Sequence, residues 1–232
     1  MAPRPIFVHG AGGSATAWSQ QEPRFEGCCV VALPGHPSGT AYASIGGYAE
    51  WAAHVIRDVP GPRVIVGHSM GGAVALQLAL DHPDLVDGLV VIASGARLFV
   101  PQTAFELART DLPAECARLV RKGWPRADNA TIATEVAQMI EVGQHTLLQD
   151  YAACLGFNVV DRLHEVRVPV MVITGDQDAL TPLSLANELL AGLPQGIGVV
   201  VPDAGHWLMK EHPATVSLLL AGFLARLELH GD

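Results

Sequence analysis

The run Arg63-Val64-Ile65-Val66-Gly67-His68-Ser69-Met70-Gly71-Gly72 sets a serine between glycines, after a β-branched segment and before an uncharged, helix-forming one. This is the sequence form of a strand that turns sharply into a helix with a nucleophilic serine at the bend. The bend needs the serine at φ > 0, which is tolerable only when the residues two places before and after it lack bulk. Gly67 and Gly71 satisfy that condition. A Gly-x-Ser-x-Gly string also arises by chance, so its context decides. Here Val64 to Val66 read as the strand, and Ala73 to Leu80 carry no charge before Asp81-His82-Pro83 ends the helix. A helix apolar on every side is a buried one. Strand, elbow and buried helix in that order favour a catalytic serine at Ser69, with the Met70 N–H at the helix N-terminus as one oxyanion donor.

Working outward, short apolar β-branched runs alternate with longer helical ones, the pattern of a mostly parallel sheet flanked by helices, an α/β fold. Strands are expected at Ile6 to His9, Cys28 to Ala32, Val64 to Val66, Gly88 to Ala93, Val170 to Thr174 and Gly198 to Val201, the last four apolar enough to be buried on both faces. Helices are expected at Tyr48 to Asp58, Met70 to Leu80, Ser184 to Ala191 and Ala214 to Leu229. Between Ala96 and Glu165 the strand signal stops, and helices read at Gln102 to Arg109, Pro113 to Lys122, Asn129 to Val142 and Thr146 to Phe157. Residues 1–95 and 166–232 then form the core domain, and 96–165 an inserted helical cap over the sheet edge; an extra helical layer without substrate contact is the plainer alternative.

Composition narrows the function classes. Of 232 residues, 50% are hydrophobic and 16% charged, enough apolar material for a large core. A formal charge of −9 and no basic stripe argue against a nucleic acid partner. No apolar run reaches the roughly 18 residues of a membrane span, and the opening Met1-Ala2-Pro3-Arg4-Pro5 leads into a strand rather than a signal peptide, so a cytoplasmic location is expected. Cys28, Cys29, Cys116 and Cys154 are too scattered for a zinc ribbon and read as buried free thiols. Neither metal nor cofactor is expected, and the chemistry falls to ordinary side chains.

A serine hydroxyl needs a base. Among ten histidines, His206 follows the last expected strand through Pro202-Asp203-Ala204-Gly205 and reaches the same edge as Ser69. His212 and His82 precede prolines at helix ends, while His54, His145, His164 and His230 lie on helices or in the tail. His68, by strand alternation, points away from the nucleophile and reads as structural. The imidazole needs a carboxylate to orient it, and Gly175-Asp176-Gln177-Asp178 follows the fifth strand. Asp178 has the reach; Asp176 suits the turn, and Asp203 the histidine's own loop. The loop Gly10-Ala11-Gly12-Gly13-Ser14 lets backbone approach a ligand, lacks a phosphate-binding lysine pattern, and offers the Ala11 N–H as second oxyanion donor.

Taken together, His9-Gly10, Leu33-Pro34-Gly35-His36, Gly67-His68-Ser69-Met70-Gly71-Gly72, Gly175-Asp176-Gln177-Asp178 with Pro182, and Gly205-His206-Trp207 resemble the α/β-hydrolase fold superfamily, in the order Ser, Asp, His that this fold imposes. The resemblance implies a helical cap and a cofactor-free mechanism. Ser69 sets the chain apart from the aspartate-nucleophile members. His206-Trp207 is similar to a pair in the carbon–carbon hydrolases of ring-cleavage products, whereas His68 stands where those often have asparagine. The function expected is a serine carboxylesterase acting on a small to medium, largely apolar ester, with Phe99, Phe105, Trp124, Met139, Leu148, Phe157 and Trp207 as candidate pocket residues. A carbon–carbon or thioester hydrolase is the alternative enzyme, and a ligand-binding receptor the alternative of another class. Whether the chain is a monomer or a homodimer is left open.

Overall fold

The computed structural model describes residues 2–229; Met1 and residues 230–232, including His230, lie outside them. Its elements in chain order are β1 (Arg4–Val8), β2 (Cys29–Val31), α1 (Ile45–Ile56), β3 (Arg63–His68), α2 (Met70–Asp81), β4 (Gly88–Ile92), α3 (Gln102–Thr110), α4 (Leu112–Gly123), α5 (Asn129–Val142), α6 (Gln144–Leu155), β5 (Val170–Gly175), α7 (Leu183–Gly192), β6 (Gly196–Val201), α8 (Leu208–Glu211) and α9 (Pro213–Glu228). The six strands form one sheet in the order β2-β1-β3-β4-β5-β6, every neighbouring pair parallel. The chain goes from β1 outward to β2 and returns to β3 on the other side, so the strand order reverses between β1 and β3. Ligands of such sheets bind at that reversal, beyond the carboxyl ends of the strands.

Alternation along each strand divides the core. Ile65, Leu89 and Val91 pack with α1, α2 and α7 on one face, while Val64, Val66, Val90 and Ile92 pack with α8 and α9 on the other. Helix α2 lies under this sheet with Ala73, Val74, Ala75 and Leu76 fully buried, which is why it tolerates no charge until Asp81. The four helices between β4 and β5 build a third apolar cluster of their own around Phe105, Val120, Met139 and Tyr151. The helices α3 to α6, which lie between β4 and β5 in the chain, thus share an apolar core apart from those against the sheet.

Three expectations are corrected. Strand β6 is apolar but not buried on both faces: Ile197 is 37% and Val200 48% exposed, because β6 is the edge of the sheet and, among the described residues, no strand pairs beyond it. Cys28 and Cys29 are only partly buried, since β2 is the opposite edge; Cys116 and Cys154 are buried, and all four are free thiols. The helix expected at Tyr48 starts earlier, where the Ser44 hydroxyl accepts from the Gly47 N–H and caps α1. Helix α8, four residues long, had no periodic signal to reveal it.

Candidate active site

Ser69 stands between β3 and α2 at φ 53 and ψ −119. A Cβ on Gly67 would lie 2.1 Å from the Gly71 carbonyl oxygen, and one on Gly71 would lie 2.3 Å from that of Val8, so neither position accepts a side chain. The strained turn is fixed by hydrogen bonds on both sides of the serine. Its N–H donates to the Ile92 carbonyl at 2.9 Å, and its carbonyl accepts from the Gly72 N–H at 2.9 Å and the Ser94 hydroxyl at 2.7 Å. The neighbouring loop leaves β1 at Gly10, where an added Cβ would sit 3.0 Å from Cβ of Ser69. Among the described residues, no protein group accepts a hydrogen bond from the N–H of Ala11 or of Met70. The strand ends of β1 and β3 therefore bring two unengaged backbone donors beside one hydroxyl.

The loop after β5 carries Asp178, and the loop after β6 carries His206. Their side chains meet, Nδ1 of His206 at 2.8 Å from Oδ2 of Asp178. Both residues are buried, at 4% and 5% exposure. Asp178 is fully occupied: Oδ1 accepts the N–H groups of Leu180 and Thr181, each at 2.8 Å, and Oδ2 also accepts the Thr181 hydroxyl at 2.7 Å. Burial by itself would raise the Asp178 pKa, but the His206 ring and the Thr181 donors outweigh it and bring the value down to about 2. A carboxylate in this state takes the Nδ1 proton of His206 as a hydrogen bond and leaves Nε2 as the basic nitrogen. Thr181 carried no motif of its own; its signal was its place three residues beyond Asp178, where an Asx-type turn closes on a carboxylate.

His68 departs from expectation. It does not point away from the site: its Nε2 lies 2.9 Å from the carbonyl of His206, and its ring lies 4.8 Å from the His206 ring. The last residue of β3 is where strand alternation gives way to the elbow, so the period of two no longer predicts direction there. A nitrogen facing a carbonyl is a donor, and burial, reinforced by His206, holds the His68 pKa well below its usual value. His68 is a neutral donor that ties the loop after β6 to β3.

The same loop is held from two further directions. The His206 N–H donates to the Gly123 carbonyl at the end of α4, at 2.5 Å, and the Gly205 N–H donates to Glu211 at 2.9 Å. Asp203 takes φ 60 and accepts from Arg126 and from Gln177. Asp176 is exposed, and its N–H donates to the Val201 carbonyl at 3.2 Å. His212 begins α9 with Nε2 3.4 Å from the Asp203 carbonyl, and His82 pairs with Glu50 on the surface.

Ser69, His206 and Ala11 open onto a cavity of about 540 Å³ between the sheet edge and the insertion. Of the expected pocket residues, Phe99, Met139 and Trp207 line it. Phe105, Trp124, Leu148 and Phe157 do not. Phe105 packs edge-on against Tyr151 in the insertion's own core, Leu148 joins that cluster, Phe157 packs against the sheet's helices, and Trp124 follows the end of α4. Helical spacing shows that a face is apolar, not which neighbour it meets. The cavity is mainly apolar, and Val100, Leu119, Leu180 and Leu185 add to its walls. Charged groups also border it: Lys210 is paired with Glu135 at 2.6 Å, Arg118 with the buried Glu115 at 2.7 Å, and Lys122 is exposed.

The pattern of the Alpha/beta hydrolase family matches residues 6–217. A pimeloyl-[acyl-carrier protein] methyl ester esterase of Yersinia enterocolitica is 26% identical over 94% of this chain and 92% of its own length. A 2-hydroxy-6-oxononadienedioate/2-hydroxy-6-oxononatrienedioate hydrolase of a Pseudomonas species is 26% identical over 95% of this chain and 87% of its own. Among solved structures, a thermophilic esterase superposes with a TM-score of 0.86 at 26% identity, covering 96% of this chain and 90% of that one. Among the described residues, no helix is long and apolar enough to cross a membrane.

Proposed function

The chain belongs to the alpha/beta hydrolase family, and from that premise we propose that it is a serine hydrolase cleaving a small to medium, largely apolar carboxylic ester. One observation carries the reading: a buried His206–Asp178 pair at 2.8 Å opens onto the same cavity as a serine held at positive φ. Nε2 of His206 takes the hydroxyl proton as Ser69 attacks the ester carbonyl. Asp178 stabilises the imidazolium that results. The N–H groups of Ala11 and Met70 hold the oxyanion, each donor worth about 2.7–4 kcal/mol of barrier. The imidazolium then protonates the leaving alcohol, an acyl-enzyme forms, and water activated by His206 releases the acid. Residues 96–165 act as a cap that shields the acyl-enzyme, and the protein works in the cytoplasm on a small-molecule substrate.

The test is a fluorophosphonate label with mass mapping, paired with turnover of p-nitrophenyl esters. Modification at Ser69 and loss of nearly all turnover in Ser69→Ala are expected; substantial turnover in that variant would overturn the reading. The 2-hydroxy-6-oxononadienedioate/2-hydroxy-6-oxononatrienedioate hydrolase among the relatives supports a second reading, carbon–carbon bond hydrolysis by the same three side chains. A vinylogous diketone turned over much faster than any ester would favour it.

A further inference from the structure

We infer that Asp150, on the inserted helix α6, is a positioning residue for the oxyanion site, fixing one of the two peptide planes that flank Ala11. The inference rests on the hydrolase reading above. Asp150 has 0% exposure and sits far along the chain from every residue it binds. Its Oδ2 accepts the Gly12 N–H at 2.8 Å and lies 2.9 Å from Nε2 of His36; its Oδ1 accepts the Tyr48 hydroxyl at 2.6 Å. One carboxylate of the insertion thus joins the glycine loop, the segment after β2 and helix α1.

The peptide geometry gives this cluster its function. The Ala11 N–H belongs to the peptide plane whose other end is the Gly10 carbonyl, and that carbonyl is held by the Gly13 N–H at 3.1 Å and by Nδ1 of His9 at 2.9 Å. His9 can donate there because its Nε2 accepts the Leu33 N–H at 3.1 Å, while burial and then the neighbouring His36 push its pKa down to about 3 and keep it neutral. The next plane, Ala11 C=O with Gly12 N–H, is held by Asp150. With both planes fixed, the Ala11 donor has one direction. Gly12 itself lies at φ +61, which leaves the loop no side chain to brace it.

The rest of the cluster holds Asp150 in place. Nδ1 of His36 faces the carbonyls of Pro34 at 3.0 Å and Leu33 at 3.2 Å, while its Nε2 faces the carboxylate, so the ring is held between fixed backbone and Asp150. A buried carboxylate held by three partners from three separate parts of the chain is oriented rather than merely accommodated. Asp150 touches no reacting atom; it acts through Gly12.

The experiment compares steady-state kinetics of Asp150→Ala, Asp150→Asn and Gly12→Ala with the wild type, using a p-nitrophenyl ester. In Asp150→Ala, kcat should fall about 10-fold to 100-fold, less than the 10²–10³ lost when a donor is removed outright, with KM little changed. Asp150→Asn keeps an acceptor for the Gly12 N–H and should restore most of kcat. Gly12→Ala, whose Cβ would meet Met139 and Leu147 at 2.9 and 3.0 Å, attacks the same contact from the loop side and should show the same kcat loss even if Asp150→Ala fails to fold. Full kcat in Gly12→Ala, or an asparagine no better than alanine, would overturn the inference. If Ser69→Ala kept its turnover, the hydrolase reading would fail instead; an inactive Ser69→Ala beside a fully active Asp150→Ala would sink this inference alone.

Discussion

At the residue scale the orientation of His206 depends on Asp178. Its four hydrogen bonds leave no spare acceptor capacity, and one of them sets the His206 tautomer. Asp178→Asn would present an amide that can hold the imidazole with the wrong nitrogen protonated, so kcat should fall about 10⁴-fold with folding retained, read by turnover alongside circular dichroism. Thr181→Val removes only the hydroxyl on Oδ2 and should cost roughly 10-fold, about one hydrogen bond to a charged group; unchanged kcat would show that Thr181 merely closes the turn. The positions of Ser69, His206 and Asp178 at one edge of the sheet were readable because each follows a strand recognisable from its β-branched run. His68 was placed on the wrong side because the rule used for it ends where the strand does.

At the scale of elements, the helices between β4 and β5 do more than line the cavity. The carbonyl that ends α4, at Gly123, accepts the His206 N–H, and the glycine leaves room for Trp207 and His206: an added Cβ would lie 2.4 Å from the Trp207 ring and 3.0 Å from Cβ of His206. Gly123→Ala should therefore push the His206 ring away from Ser69, with kcat lowered about 10² by a displacement near 1 Å and fluorophosphonate labelling of Ser69 slowed in step. Labelling at the wild-type rate would show that the loop absorbs the change. The existence of α3 to α6 was legible from helical spacing, with α5 bounded by Asn129 and Val142 as expected. Their docking was not. Glu115, Asp150 and Gly123 look like ordinary helix residues until other parts of the chain are placed beside them.

For the whole molecule, the buried histidines govern acid stability. His9 and His68 stay neutral in the fold, with pKa about 3 and well below the usual value, while in the unfolded chain each titrates near 6.5. Below pH 6.5 the unfolded state binds protons that the folded state refuses, so stability falls with pH by about 1.4 kcal/mol per unit for each histidine. The contribution of Asp178 has the same sign but is lost only between its unfolded value near 3.9 and about 2. The melting temperature should drop by several degrees from pH 7 to pH 5, and more shallowly in His68→Asn; a melting temperature independent of pH over that window would contradict the neutral assignment.

Periodicity, glycine placement and the order of Ser69, Asp178 and His206 determined the parallel sheet, the elbow and the strand ends that carry these three residues, because these are local consequences of backbone sterics and of which residues follow a buried strand. Tertiary structure alone decided that β6 is an edge, that Phe105 and Phe157 turn from the cavity into separate cores, and that Asp150 meets Gly12. Those outcomes depend on how helices distant in sequence pack against one another, and a contact made across 138 residues of chain leaves no trace in the spacing of either partner.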